Sequence, residues 1–123
     1  MKKSTGTKTG LETMAKFEKM IGAVRELVSP DFAISQLHLF LAVCQEDGIT
    51  QTELAKRLGM PQATVSRNSI AFGTSYNKKT GQLGGYGLVD SRPDLYERRR
   101  FACFLTEKGK KLSGVLAKEI IEV

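Results

Sequence analysis

The sequence is poor in the side chains that do chemistry. It has one histidine, His38, and two cysteines, Cys44 and Cys103, far apart in the chain. Its acidic residues are scattered, so no nucleophile–base set and no metal-ligand spacing can be assembled. The expectation is a protein that is not an enzyme and that needs no metal or other cofactor. Both cysteines stand among apolar neighbours, which predicts buried structural thiols rather than oxidant sensors. Long apolar runs are also missing: the longest, residues 37–44, is interrupted by His38 and too short to cross a bilayer. The opening MKKSTGTKTG is basic and polar with no apolar run behind it, unlike a secretory signal. A reducing cytoplasm, with no membrane partner, is therefore expected. The glycines between Gly81 and Gly87 look superficially like a phosphate loop, but no Lys–Ser/Thr pair follows them and the next element is a strand.

What the chain does have is positive charge in one region. Residues 49–112 carry twelve Lys/Arg and five Asp/Glu, a balance of +7, whereas the remainder has seven against eight, or −1. Nucleic acid is the natural partner for such a patch.

Within that region, residues 48–72, GITQTELAKRLGMPQATVSRNSIAF, read as two short helices joined by a tight turn. Thr50 is an N-cap and Glu53 completes a capping box, with Ile49 and Leu54 as a hydrophobic staple. Gly59 ends the first helix where a left-handed residue is expected, and Pro61 suits the first turn of the second. Val65 and Phe72 turn the second helix inward, while Ile70 points away from the core, toward DNA, loop or partner. Gln62, Thr64, Ser66, Arg67 and Asn68 are suited to base edges and phosphates, the pattern of a helix-turn-helix.

Residues 1–9 read as a disordered basic tail, and residues 10–123 as one DNA-binding domain with terminal dimerisation helices. Leu11, Met14, Phe17, Ile21, Val24 and Val28 make an apolar edge that serves both packing and dimerisation. A second, central helix is expected over residues 33–45. After Phe72 come five glycines in fifteen residues, which read as a loop after one more helical turn to Tyr76, and Lys78 and Lys79 in it add to the basic face. Residues 88–91 and 98–105 are strand candidates, the second with Phe101, Cys103 and Leu105 facing in and Arg100, Ala102 and Phe104 facing out. Together they form a wing with a basic tip. Thr106 caps a last helix with Leu112, Leu116, Ile120 and Val123 on one edge. The fold class is mainly α with a small β-wing: a winged helix-turn-helix.

ISQLHLFLAV, ITQTELAKRLGMPQATVSR, GLVDSR and ERRRFACFLTEKGKKL together resemble the multiple-antibiotic-resistance regulator (MarR) family, of which this would be a compact, divergent member. The most specific piece is Glu97-Arg98-Arg99 followed by Leu105-Thr106-x-x-Gly109. The resemblance implies a homodimer on double-stranded DNA, with Gln62, Thr64, Ser66 and Arg67 at the major groove and Arg98 and Arg99 at the wing. Pro61 replaces the family's usual Ser or Thr cap, and Asn68 stands at a position usually apolar and core-facing. The glycine-rich segment is longer than usual. No effector is implied by the residues. The expected function is a sequence-specific transcriptional regulator, acting as a repressor. The alternatives are a winged-helix protein that binds a replication or recombination site and recruits other proteins, or one that chiefly docks protein.

Two finer expectations concern sites. Dimerisation is assigned to Met14, Phe17, Ile21 and Val24 with Leu116 and Ile120. In the wing, Arg98 is expected to reach toward DNA, with Arg100 on the same solvent face. Arg99 is expected to brace the hairpin from inside against Glu97, Asp94 or Asp90.

Overall fold

The computed structural model describes residues 8–73, 76–77, 82–83, 85–97 and 99–121. Five helices and five short strands follow one another: α1 (Lys8–Leu27), α2 (Ile34–Gln45), β1 (Ile49–Thr50), α3 (Gln51–Leu58), α4 (Gln62–Phe72), β2 (Tyr76–Asn77), β3 (Gln82–Leu83), β4 (Val89–Pro93), β5 (Phe101–Leu105) and α5 (Glu107–Ile121). Two compact units result, one of residues 33–111 and the other of α1 with the later part of α5. The first seven residues of the expected tail lie outside the described residues, and Lys8 and Thr9 already belong to α1.

In the unit of residues 33–111, α2 is the core helix. Leu37, Leu39, Phe40, Ala42 and Val43 are buried, while His38 is exposed, so the histidine is a surface residue. The Thr50 hydroxyl accepts the Glu53 amide at 3.1 Å, which makes one half of the expected capping box and starts α3. Gly59 closes α3 with φ +64°, a conformation that costs a residue with a Cβ about 1 kcal/mol or more. Pro61 sits one position earlier than expected, as the N-cap of α4, where its carbonyl accepts the Thr64 and Val65 amides at 3.0 and 3.2 Å. Helix α4 buries Val65, Ser69 and Phe72. The Phe72 ring stacks on Phe40, with centroids 6.1 Å apart, and meets Tyr86 edge-on at 5.9 Å. Truncating such a ring costs about 3–5 kcal/mol.

The sheet has the order β1-β5-β4, antiparallel throughout, pairing Ile49 with Cys103 and Ser91 with Cys103. Strand β4 extends to Pro93, beyond the expected Ser91, and an edge strand tolerates that proline. Strand β5 begins at Phe101, three residues later than expected. The alternation expected along β5 does not hold: Phe101, expected to face in, is exposed, Ala102, expected to face out, is buried beside Cys103, and Phe104 and Leu105 are both half-buried. A central strand is covered on both faces, and its end at the hairpin turn is bare.

The glycine-rich segment is tied to α4 by its backbone. The helix stops at Phe72 rather than continuing to Tyr76, and β2 and β3 form a small antiparallel hairpin where only loop was expected. The Tyr86, Leu88 and Gly87 amides then donate to the carbonyls of Ala71, Phe72 and Gly73 at 2.8–3.1 Å. The Thr106 amide donates to Leu88 O at 3.0 Å, and its hydroxyl donates to Gly87 O at 2.7 Å while accepting the Gly109 amide at 2.9 Å. That hydroxyl therefore caps α5 and fastens it to the same segment. Gly109 packs so closely on the Leu88 carbonyl that a Cβ there would collide with it, which explains the Thr106-x-x-Gly109 spacing.

Gly109→Ala is expected to lower stability by about 2–3 kcal/mol, since backbone rather than a flexible side chain must move. Gly114→Ala, on the same helix with no atom within 4 Å of the added Cβ, should instead gain about 0.5–1 kcal/mol. Urea unfolding of the two variants checks the contrast.

Candidate nucleic-acid interface

Helix α4 has eleven residues, advancing about 100° each. Val65, Ser69 and Phe72 therefore define one side, which the protein's own core covers. Opposite lie Ala63, Arg67 and Ile70, all exposed, with Ser66 and Thr64 half-buried at the margins; Gln62 is near Ser69 in angle and is exposed as the first residue of the helix. Of the five polar residues expected on this helix, Arg67 is thus on its outward face, Thr64 and Ser66 flank that face, and Gln62 is exposed at the helix start. The Arg67 guanidinium is within 3.5 Å of the Thr64 hydroxyl, a long and weak hydrogen bond that leaves its donors available.

Asn68 is the exception. It lies about 40° from Phe72 around the helix, on the shoulder of the buried side. Its Nδ2 is enclosed with no hydrogen-bond partner, at a cost of about 1–3 kcal/mol. The residue is a packing position, not one of the outward set, because four residues from Phe72 is one helical turn. Ala63 and Ile70 were not among the expected contact residues. The same angular count that turned Ile70 outward would have found both.

The wing is the β4–β5 hairpin, which pairs Pro93 with Phe101 and Arg92 with Ala102. Its turn is closed by the Asp94 amide donating to Arg100 O at 2.8 Å and the Arg100 amide donating to Glu97 O at 2.9 Å. Arg99 and Arg100 therefore belong to the turn, not to a strand, and both are exposed. This corrects the assignment of Arg99 to the interior. It does pair with Glu97, at 3.5 Å, but its side chain is 91% exposed, and strand alternation does not apply inside a turn. Arg98, like Lys78 and Lys79, lies outside the described residues. Leu95 and Tyr96, 90% and 94% exposed, stand beside these arginines at the tip. A further arginine, Arg92, lies 4.0 Å over the Phe104 ring; the strand register that sets Ala102 and Phe104 on one face also sets Arg92 there. Arg57 is less available than its charge suggests, since it donates to Gln45 Oε1 at 2.8 Å and approaches Glu46 at 3.9 Å.

Among the assigned dimerisation residues, Met14, Phe17 and Ile21 are exposed and continue from exposed Leu11. Val24 and Leu116 are buried within the single chain, which removes them from any surface set, and Ile120 is half-buried. The exposed large apolar residues of α5 are Val115 and Ile121. Cys103 is buried between the hydroxyls of Ser91 and Ser69, at 3.8 and 3.9 Å. Burial pushes its thiol above the ordinary range, with the two hydroxyls partly opposing. No group of three or more potential metal ligands occurs among the described residues. None of their helices is long and apolar enough to cross a membrane.

A helical hairpin with a solvent-facing second helix, followed by a β-hairpin, defines a winged helix-turn-helix protein. The sequence pattern of winged helix-turn-helix DNA-binding domains matches residues 35–68. No curated protein matches the sequence significantly. Among solved structures, a MarR transcriptional regulator from Methanosarcina mazei is 25% identical, with a TM-score of 0.58 over 90% of this chain and 73% of that one. The Staphylococcus aureus MepR–DNA complex gives 22% and 0.63, over 93% and 80%. The transcriptional repressor CouR bound to a DNA duplex gives 19% and 0.60, over 99% and 81%. The fold is that of the MarR regulators.

Two outcomes follow from these surroundings. Arg99→Ala should change stability by less than about 0.5 kcal/mol, because an exposed pair contributes little, and thermal melting reads this directly. The raised pKa keeps Cys103 a neutral thiol at neutral pH, so in the folded protein iodoacetamide should leave it unmodified at pH 8 while labelling it readily in urea.

Proposed function

We propose that this protein is a sequence-specific double-stranded-DNA-binding transcriptional regulator that acts as a homodimer and represses. The observation that carries the reading is the outward face of α4, where Arg67, with Ser66 at its flank and Gln62 at the helix start, is not consumed by the protein's own core. Arginine presents a planar fork suited to guanine O6 and N7, while Gln and Ser can contact base edges or phosphate. The wing turn adds exposed Arg99 and Arg100 for phosphates or the neighbouring minor groove. The +7 balance of residues 49–112 supplies long-range attraction to the duplex. Structures of the same fold include regulators in complex with DNA, and one of these is a repressor.

Dimerisation is supported by the exposed edge Leu11, Met14, Phe17 and Ile21, since such a row of large apolar side chains is costly to leave in water. Two-fold symmetry would let two α4 helices address successive major grooves. Because Val24 and Leu116 are buried in the monomer, the interface proposed differs from the one the sequence suggests: Leu11, Met14, Phe17 and Ile21, with Val115 and Ile121 of α5.

Affinity for the preferred duplex should fall with salt at a log–log slope of roughly −5 to −7, as for the neutralisation of six to eight phosphates. Arg67→Ala should cost about 1–3 kcal/mol and relax specificity at one position of each half-site. A slope near zero, or a uniform loss over all sequences, would contradict the first and second statements respectively. Ile21→Glu should convert the dimer to monomer in sedimentation; a wild-type protein that is already monomeric would remove the dimer.

A further inference from the structure

The middle of the outward face of α4 is apolar. Counting about 100° per residue, Ile70 falls between Ser66 and Arg67, one turn further along the helix, and lies about 160° from buried Phe72. It is 61% exposed, on a helix whose apolar needs are already met by Val65 and Phe72 on the opposite side. Ala63 shares its edge one turn on the other side of Arg67 and is exposed as well. A β-branched side chain gains nothing for the helix by standing in water, since its propensity is lower than that of Ala or Lys.

What could cover Ile70 is constrained by its neighbours. Ser66 and Arg67 flank it with donors and acceptors, whereas a protein-docking patch sets such a residue among apolar and aromatic side chains. In the major groove, by contrast, hydrogen-bonding edges alternate with a single apolar group, the 5-methyl of thymine. We propose that Ile70 is a specificity-determining residue that packs on a thymine 5-methyl group beside the base read by Arg67. This rests on the reading of α4 as a DNA-recognition helix and adds the base it selects. The half-site then contains a thymine next to the position governed by Arg67.

The test uses the intact protein and the duplex enriched from a random library, remade with deoxyuridine replacing thymidine at one position at a time. The swap removes one methyl group and leaves every hydrogen bond in place. For the wild type, one position per half-site should lose about fourfold in affinity, the value of one buried methyl group. Ile70→Ala should lose a similar factor on the thymine duplex and become indifferent to the swap, while Ile70→Leu should remain sensitive. The melting temperature of Ile70→Ala should equal that of the wild type. Wild-type indifference at every position, a consensus without thymine beside the Arg67 position, or unchanged sensitivity in Ile70→Ala would each overturn the assignment while leaving DNA binding intact. A markedly lowered melting temperature would instead make Ile70 a packing residue of its own fold. Absence of binding to any duplex would remove the parent reading itself.

Discussion

The lobe depends on the backbone knot at Tyr86–Leu88. The last carbonyls of α4 have no partners within the helix, and an unpaired buried carbonyl is costly. Ala71, Phe72 and Gly73 find theirs in the amides of Tyr86, Leu88 and Gly87. The other side of the same segment holds α5, through Thr106 on Gly87 and Leu88 and through the bare Cα face of Gly109 against Leu88 O. One short stretch thus sets where the recognition helix ends, where the wing begins and where the final helix starts. Phe72, stacked on Phe40 and edge-on to Tyr86, fills the space beneath it.

With its C-terminal end anchored and Val65, Ser69 and Phe72 buried, α4 has little freedom to rotate, and its outward residues are presented in a fixed order. Pre-ordering matters because every side chain or segment immobilised on binding subtracts from affinity. The wing arginines are different in kind. Arg99 and Arg100 stand on a turn closed by two backbone hydrogen bonds and are solvated, which suits phosphate attraction more than base reading. Under the proposed function the two elements would divide the work, the helix discriminating between sequences and the basic wing attracting the phosphates.

How much of this was legible in the sequence follows from how local each signal is. The cap at Thr50, the left-handed Gly59, the inward Val65 and Phe72, the outward Ile70 and the pairing of two wing strands are decided within a few residues, and periodicity reads them. The winged helix-turn-helix fold could be read from them for the same reason. The errors lie where tertiary context decides. Arg99 was given a strand's alternation although the Asp94–Arg100 and Glu97–Arg100 bonds put it in a turn. Val24 and Leu116 share an apolar edge with exposed residues, and edge membership alone does not separate core from interface. Asn68 is a polar residue whose Nδ2 is enclosed, a conflict between residue type and position that both the helical angle and the family resemblance point to. The knot at Tyr86–Leu88 was invisible, since nothing local says which carbonyls a glycine-rich segment will satisfy. Lys78, Lys79 and Arg98 lie outside the described residues.

The central claim is that the outward face of α4 reads bases in duplex DNA, twice per dimer. Selection of bound sequences from random duplex DNA tests it most directly, because it reports binding, specificity and symmetry at once. The account predicts a palindromic consensus whose half-site centres lie about one helical turn, roughly 10 base pairs, or a multiple of it apart. Binding without enrichment of any sequence, or no retained duplex at all, would contradict it.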